Sequence, residues 1–582
     1  MYQRAVNGSR GTASADRITI ISIVFFLLIF LIFLRLFKLQ IIDHHEYLSL
    51  AEEQHFALSE LKPERGEVYI HDYQEGADVL YPVALNKKYY VVYGVPNVIK
   101  SAQTYAKLLA PVLEMDEETI WRRLDKADDV YEPLKHRVEE AKKTEIENLN
   151  LDGIRFQEEV WRYYPEKNIG SQALGFVGYE GDNLVGRYGV EGYWEKDLAG
   201  TKGEYLFERD ASGRLIPIAR RIKEDEQNGT DIVLTLDRSI QFTACSALAA
   251  TVLKHGADDG SVIIMDPASG AILAMCNYPD FDPNNYNEVE DISVYNNRAI
   301  FEPYEPGSMI KGITMAAAID AGNVTPATTY IDTGEEEIAG YKIHNSDGKA
   351  HGLKNMTEVL EESLNTGAIF AARQVGPELF EKYFKMFGFG QLTGVQLETE
   401  RSGTIENLAN HRNEIFMATA SFGQGFTATA LQVLNAFAAI ANKGKMMKPY
   451  IVDQIVQPDG KVQKTEPEFV RQVITTQTAR TLSAMLASVV KYGHATRAGV
   501  PGYYIAGKTG TAQVADQTTG QYSTDVTMHS FVGFAPVDDP KFVVLVKLSR
   551  PRGVAWADSS AAPLFGEIAK FLLNYLEVPP SY

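Results

Sequence analysis

Residues Ile18 to Leu34 read ITIISIVFFLLIFLIFL and carry no charge. Continued through Arg35 to Phe37, the run is long enough to cross a hydrocarbon core of about 30 Å as a helix. Arg35 sits where a long side chain reaches back to the interface. A cleaved signal sequence needs small residues at a cleavage point, and Arg35-Leu36-Phe37-Lys38-Leu39-Gln40 offers none, so the run reads as an uncleaved anchor. Arg4, Arg10 and Arg17 precede it, and Arg35 and Lys38 follow. Only basic residues decide orientation, which places a short tail, 1–17, in the cytoplasm and the chain after the 18–37 anchor outside it. No second apolar run of this length occurs.

The rest of the 582 residues has the composition of globular protein, 45% hydrophobic and 23% charged, with length for more than one domain. Lys and Arg number 56 against 76 Asp and Glu, a net charge of −20, which argues against a nucleic-acid binder. Cys245 and Cys276 are too few for a disulfide framework or a Cys-rich zinc site. They read as buried free thiols, with a single bridge between them left open.

Helical spacing continues past the anchor through Leu39, Ile42, Tyr47, Leu50 and Phe56, as in a stalk. Tyr89 to Tyr93 reads as a strand, and Thr119 to Asn150 as charged helix. The polar run Lys223 to Gly229 marks a boundary between a region of 38–225 and one of 226–582. After it come a strand at Asp231 to Thr235 and a helix from Arg238 to about Lys254, with Asp237 as its cap. A hairpin follows, Ser261 to Met265 with Ala271 to Met275. Residues 301–440 read as mainly helical. Strands return at 503–512, 530–535 and 542–548, and a last helix is expected to begin with Pro563 at its first position. Strands at both ends and helices between predict an antiparallel sheet flanked by helices, a fold of the α/β class and α+β type.

Three short motifs carry chemistry. Ser308-Met309-Ile310-Lys311 follows the breakers Pro306 and Gly307 and opens an apolar helix, so Ser308 and Lys311 share a helical face. A serine hydroxyl needs a base to become a nucleophile, and burial favours the neutral lysine that serves as one. Ser-x-x-Lys also occurs at Ser59, Ser346 and Ser488, and only the last of these lies on an expected helix. Ser363-Leu364-Asn365 offers a hydroxyl and an amide for proton relay and substrate holding. Lys508-Thr509-Gly510-Thr511 lies in a strand pattern, where Lys508 and Thr509 suit a carboxylate and Gly510 admits an extended substrate.

This combination, in this order, resembles the class B penicillin-binding proteins, the monofunctional peptidoglycan D,D-transpeptidases. Tyr304 to Ser308, Ser421-Phe422-Gly423-Gln424-Gly425 and Gly507 to Ala512 look like the family's catalytic segments. Arg162-Tyr163-Tyr164-Pro165 and Gly189-Val190-Glu191-Gly192 resemble motifs of its non-catalytic pedestal, the dimerisation-type domain. Ser530 to Pro536 and Ala561-Ala562-Pro563 look most like the septal, cell-division branch. Arg65-Gly66-Glu67-Val68 begins like a pedestal motif but runs on as Ile70 to Gly76, without the family's Asp-Arg-Asn-Gly type of ending.

The resemblance implies a penicillin-binding, serine-β-lactamase-like transpeptidase domain at 226–582, an α+β pedestal with its stalk at 38–225, and one membrane helix. It makes Ser308 the nucleophile toward the D-Ala-D-Ala carbonyl of a stem peptide and Lys311 the base. Ser363 relays a proton, and Asn365 holds the peptide amide. Lys508 and Thr509 anchor the terminal carboxylate beside Gly510. The N–H groups of Ser308 and Thr511 form the oxyanion hole. It implies no metal or cofactor, β-lactams as inhibitors, and a membrane glycan polymerase and divisome proteins as partners. A D,D-carboxypeptidase, a β-lactamase and an idle scaffold are the rival readings; the pedestal, the chain length and the intact motifs weigh against them in turn.

Overall fold

The computed structural model describes residues 12–44, 56–61, 63–74, 77–126, 128–181, 183–209, 215–515 and 522–582. They fall into two compact units, one drawn from Met1–Pro63 and Thr201–Gln227, the other from Glu64–Gly200 and Asn228–Tyr582.

In the first unit the apolar run lies within a helix, Thr12–Phe37, that continues as a π-turn over Lys38–Ile42. The stretch Thr19–Ile42 is long and apolar enough to cross a membrane, and none of it is buried in protein. Arg4 and Arg10 lie outside the described residues, as do Tyr47 and Leu50 of the expected stalk. Phe56 does not continue a helix. It opens a strand, Phe56–Leu61, antiparallel to Gly203–Arg209, which pairs in turn with Leu215–Glu224. A partner far along the chain, which local periodicity does not register, sets this conformation. Lys223 and Glu224 end the third strand, and Gln227 bridges back to Thr201.

The second unit begins with the hairpin Val68–Gln74 and Ala77–Gly94, which forms, with one register shift between Val68 and Tyr69, although its turn departs from the family pattern; Glu75 and Gly76 lie outside the described residues. The long strand, which contains Tyr89 to Tyr93, also pairs with Glu132–Val138 and Ile154–Tyr163. The stretch expected as one charged helix is therefore two, Glu117–Leu124 and Glu140–Asn148, parted by that strand. Leu134 and Val138 are buried with Val92 in a small core, so sheet pairing outweighs the local helical preference. Two sequence segments, at Arg65 and at Arg162 to Tyr164, converge on Glu191, which is fully buried. Its carboxylate accepts from Arg65 at 2.5 and 2.9 Å, from Arg162 at 2.7 Å and from the Tyr164 hydroxyl at 3.1 Å.

Asp231–Asp237 lies parallel to Val68–Gln74 and ties the pedestal strands to the larger part. That part is built on one antiparallel sheet. Its strands are β1 (Asp259–Met265), β2 (Ile272–Tyr278), β3 (Ala506–Ala515), β4 (Tyr522–Ala535) and β5 (Phe542–Ser549), in the spatial order β2-β1-β5-β4-β3. Both ends of the region thus meet in one sheet, as the pattern predicts. Every residue of the central β5 is buried.

Helices α1 (Arg238–His255), α2 (Ile310–Asp320), α3 (Asn365–Val375), α4 (Ala430–Ala441), α5 (Thr476–Tyr492) and α6 (Ala561–Tyr575) surround the sheet. Asp237 caps α1 by accepting from the Ile240 N–H at 2.8 Å. Pro563 is the third residue of α6, not its first; the helix starts at Ala561, directly after Ser560. The middle region is not all helix. Thr329–Asp332 pairs with Gly352–Asn355, and Glu335–Ile338 pairs with Tyr341–His344. These four-residue strands are too short for periodicity to reveal.

Cys245 on α1 and Cys276 on β2 are joined in a disulfide, which corrects the expectation of free thiols. The helix packs directly on the strand and sets the two Cα atoms 5.2 Å apart, within the reach of a bridge.

Candidate active site

Gly307–Met309 makes one turn of 3₁₀ helix that runs straight into α2. The turn is cradled by the segment Ser421 to Gly425. The Gly307 N–H donates to the Gly423 carbonyl at 3.0 Å, and the Gly425 N–H donates to Glu305 Oε1 at 2.9 Å. Gly307 and Gly423 both have positive φ, and a Cβ on Gly423 would strike the Gly307 carbonyl, so two backbones meet where no side chain fits. Ser308 is half-buried on the wall of a cleft of about 1460 Å³, which Asn365, Thr511, Tyr341 and Trp556 also line.

Lys311 projects from α2 and is 1% exposed. Its Nζ donates to the Ser363 carbonyl at 2.5 Å and to the Ser363 hydroxyl at 3.2 Å. Lys508, on β3 and wholly buried, donates to the same hydroxyl at 3.0 Å and lies 3.3 Å from Thr509 Oγ1. Neither lysine has a carboxylate within ion-pair distance among the described residues. Burial, and secondarily the charge of Lys508, holds Lys311 well below the usual lysine range. Burial brings Lys508 down to about 7.

Ser363 itself has φ of 55°, an uncommon conformation for a residue with a Cβ, between the helix Met356–Glu361 and α3. Asn365 opens α3, and its side-chain amide donates to the His344 carbonyl at 2.8 Å. Two residues that no motif announced hold this loop. The Asn365 N–H donates to Asn345 Oδ1 at 2.9 Å; Asn345 donates in turn to both oxygens of Asp332, at 3.0 and 2.9 Å, and Thr366 donates to Asp332 at 2.7 Å. Burial works against the Asp332 charge, but hydrogen bonds from Thr366, Gly334, His351 and Asn345 overcome it and keep the carboxyl below its usual range.

Gly510 has a packing reason of its own. A Cβ there would lie 2.8 Å from the Pro306 carbonyl and strike the Ser530 hydroxyl, so a glycine lets β3 touch the turn that carries Ser308. Thr511 accepts the Ala557 N–H on its hydroxyl at 3.2 Å and pairs across the sheet with His529. The fold thus brings Ser308, Asn365 and Thr511 to one cleft, and Lys311 and Lys508 to one hydroxyl, that of Ser363.

The other Ser-x-x-Lys patterns do not make the lysine-to-Ser363 contacts of this site. Ser488 on α5 donates to Glu361, and Lys491 lies over the Tyr492 ring. Ser346 is in a turn at the cleft wall, and Ser59 is in the strand Phe56–Leu61.

Residues 260–570 match the model of the penicillin-binding protein transpeptidase domain, and residues 60–234 match that of the penicillin-binding protein dimerisation domain. The chain is 34% identical over 566 residues to stage V sporulation protein D of Bacillus subtilis, covering 96% of this chain and 85% of that one. It is 29% identical over 601 residues to the peptidoglycan D,D-transpeptidase MrdA of Acinetobacter baumannii, covering 90% of this chain and 83% of that one. Among solved structures, penicillin-binding protein 3 of Mycobacterium tuberculosis complexed with aztreonam superposes with a TM-score of 0.68 at 26% identity, over 90% of this chain and 98% of that one. With a transpeptidase model spanning more than half its length, a pedestal model before it, and a relative matched nearly end to end, this chain belongs to the class B penicillin-binding proteins.

Proposed function

We propose that the chain is a peptidoglycan D,D-transpeptidase that works through an acyl-enzyme on Ser308 and is blocked by β-lactams. The observation that carries the reading is the Ser363 hydroxyl, shared by two buried lysines beside the turn that bears Ser308. In the first step Ser308 Oγ bonds to the carbonyl carbon between the two D-alanines, and its proton passes to neutral Lys311. The C–N bond breaks, and the terminal D-alanine leaves as an amine that takes a proton through Ser363. Lys508 and Thr509 hold its carboxylate, Asn365 holds the peptide amide, and the N–H groups of Ser308 and Thr511 receive the oxyanion. An amine of a second stem peptide then attacks the ester, and Ser308 regains its proton as the cross-link forms.

The same reading divides the chain into a cytoplasmic tail, an anchor, a stalk and pedestal at 38–225 and a transpeptidase region at 226–582, with the C-terminus outside. It takes a membrane glycan polymerase and division proteins as partners, and a septal role from the likeness of 530–536 and 561–563. Labelling with a fluorescent penicillin, followed by mass spectrometry of the adduct, tests the core of it. Ser308→Ala abolishes labelling and Ser488→Ala leaves it intact; an adduct on any other serine overturns the assignment. An active cytoplasmic reporter fused at the C-terminus would overturn the topology.

A further inference from the structure

The cleft that holds Ser308 differs in charge from the chain around it. The protein as a whole bears −20. Among the described residues that line the cleft, the fixed charges are Lys342, Arg550, Arg552 and a single carboxylate, Asp258. Lys342 is paired at 3.3 Å with Glu335, which lies outside the lining. The two arginines share Asp258, Arg550 through Nη1 at 3.4 Å and Arg552 through Nη2 at 3.2 Å. One carboxylate between two guanidinium groups leaves a net positive charge on this part of the wall. Both side chains are mainly exposed, 57% and 77%, so a ligand in the cleft can meet them.

Backbone pairing fixes where along a substrate this charge lies. With Lys508 and Thr509 at the terminal carboxylate and Thr511 at the scissile carbonyl, the donor peptide continues along β3 toward Gln513. β3 is an edge strand of the sheet, and Gln513 pairs with Thr527 on β4. The Thr527 carbonyl accepts the Arg550 N–H at 3.0 Å, so the arginine loop starts level with Gln513. Thr511 and Gln513 are two residues apart and share a face of the strand, about 7 Å from each other. The loop is tied down again where the Ala557 N–H meets the Thr511 hydroxyl at 3.2 Å. The arginines are therefore set on the upstream side of the donor D-alanine.

We propose that Arg550 and Arg552 form a carboxylate subsite, which selects a donor peptide whose residue before the D-alanines ends in a free carboxylate over one that ends in an amide or an ammonium. The inference rests on the acyl-enzyme reading and adds to it the charge of the substrate. A guanidinium presents its N–H groups in a planar fork that matches a carboxylate, and water or a neutral amide leaves the excess charge uncompensated. Because the arginines are exposed, the preference is modest and sensitive to salt.

Penicillins supply the test, since their acyl side chain stands where that residue would. Acylation of the full-length protein in detergent is timed by intact-protein mass with three drugs: benzylpenicillin, a penicillin whose adipoyl side chain ends in a carboxylate, and the primary amide of that second drug. At low salt the second-order constant for the carboxylate exceeds that for the amide by at least about threefold, the scale of an exposed charge pair, and the ratio shrinks as salt is added. In the double variant Arg550→Gln/Arg552→Gln, checked for folding by its melting temperature, the ratio falls to about one. Arg552→Gln alone, at the more exposed of the two positions, lowers the ratio in part and serves should the double variant fold poorly. No adduct with benzylpenicillin would sink the acyl-enzyme reading and the subsite with it. A benzylpenicillin adduct with equal constants for carboxylate and amide, or a preference that survives undiminished in a folded variant, overturns the subsite alone.

Discussion

Lys311 holds Ser363 by two hydrogen bonds, to its carbonyl oxygen at 2.5 Å and to its hydroxyl at 3.2 Å. The contact ties the helix that follows the nucleophile turn to a loop in a left-handed conformation. A lysine bound to solvent offers no such restraint. Here the amine both positions a hydroxyl and is pushed toward its neutral form by burial.

Lys311→Met tests the chemical half of that role. The substitution keeps most of the volume in a fully packed helix, so the fold survives and the melting temperature moves little. Acylation by a fluorescent penicillin falls at least about 10²-fold, the scale of general-base catalysis. Near wild-type labelling of the folded variant would remove Lys311 from the mechanism.

The two lysines also set a pH profile. Lys311 must be neutral to accept a proton, so acylation rises from the acid side as it loses its charge. Lys508 must be charged to hold a carboxylate, and that charge is lost as pH passes about 7 in the free protein. The second-order acylation constant therefore peaks and falls, with limbs that belong to the coupled pair. Lys508→Arg keeps its charge throughout and removes the alkaline fall. A fall that persists in that variant would assign the alkaline limb elsewhere. The same displacement acts on stability. Unfolded Lys508 holds its proton up to its ordinary value of 10.5, while the folded form releases it at about 7, so this residue's contribution grows as pH rises between those limits.

In the pedestal, Glu191→Ala leaves Arg162 a buried cation without its carboxylate partner and Arg65 with Glu195 alone. Breaking a buried pair in this way typically destabilises by about 3–5 kcal/mol. Chemical denaturation of the purified protein, followed by near-UV circular dichroism, shows an earlier transition. A midpoint equal to wild type would mean that the carboxylate is not what holds these segments.

The chemistry was more legible in the sequence than the scaffold around it. Ser308, Lys311, Ser363 and Lys508 stand in short motifs whose joint order is distinctive, and breakers such as Pro306 and Gly307 mark the turn. Asp332 and Asn345 escaped because a carboxylate and an amide that hold a loop carry no spacing of their own. Their partners are fixed only once the short strands have folded. Phe56 escaped for the same reason, since its strand partner lies at Glu208. The disulfide was open to the sequence because two cysteines fix a pairing only when the packing of α1 on β2 is known.

The acyl-enzyme is expected to be long-lived. Fast hydrolysis of a penicilloyl ester needs a water and a base beyond the groups used in acylation. Among the described residues that line the cleft, the one carboxylate is Asp258, and it is paired with Arg550 at 3.4 Å and Arg552 at 3.2 Å. Glu361 accepts the Ser488 hydroxyl, and Glu362 is bound to Lys354 at 2.5 Å and His351 at 3.0 Å. Each of these carboxylates is thus committed to a donor. A site that receives an amine from a second peptide gains from excluding efficient water attack, since hydrolysis discards the activated ester. A penicillin adduct on Ser308 therefore outlasts removal of free drug by gel filtration, and intact-protein mass shows it decaying slowly. Loss of the adduct within seconds, with steady drug turnover, would make the chain a hydrolase. Asp258→Asn then separates the cases: an unchanged slow decay fits a transferase that lacks a deacylation base, whereas a slowed fast decay would identify Asp258 as that base.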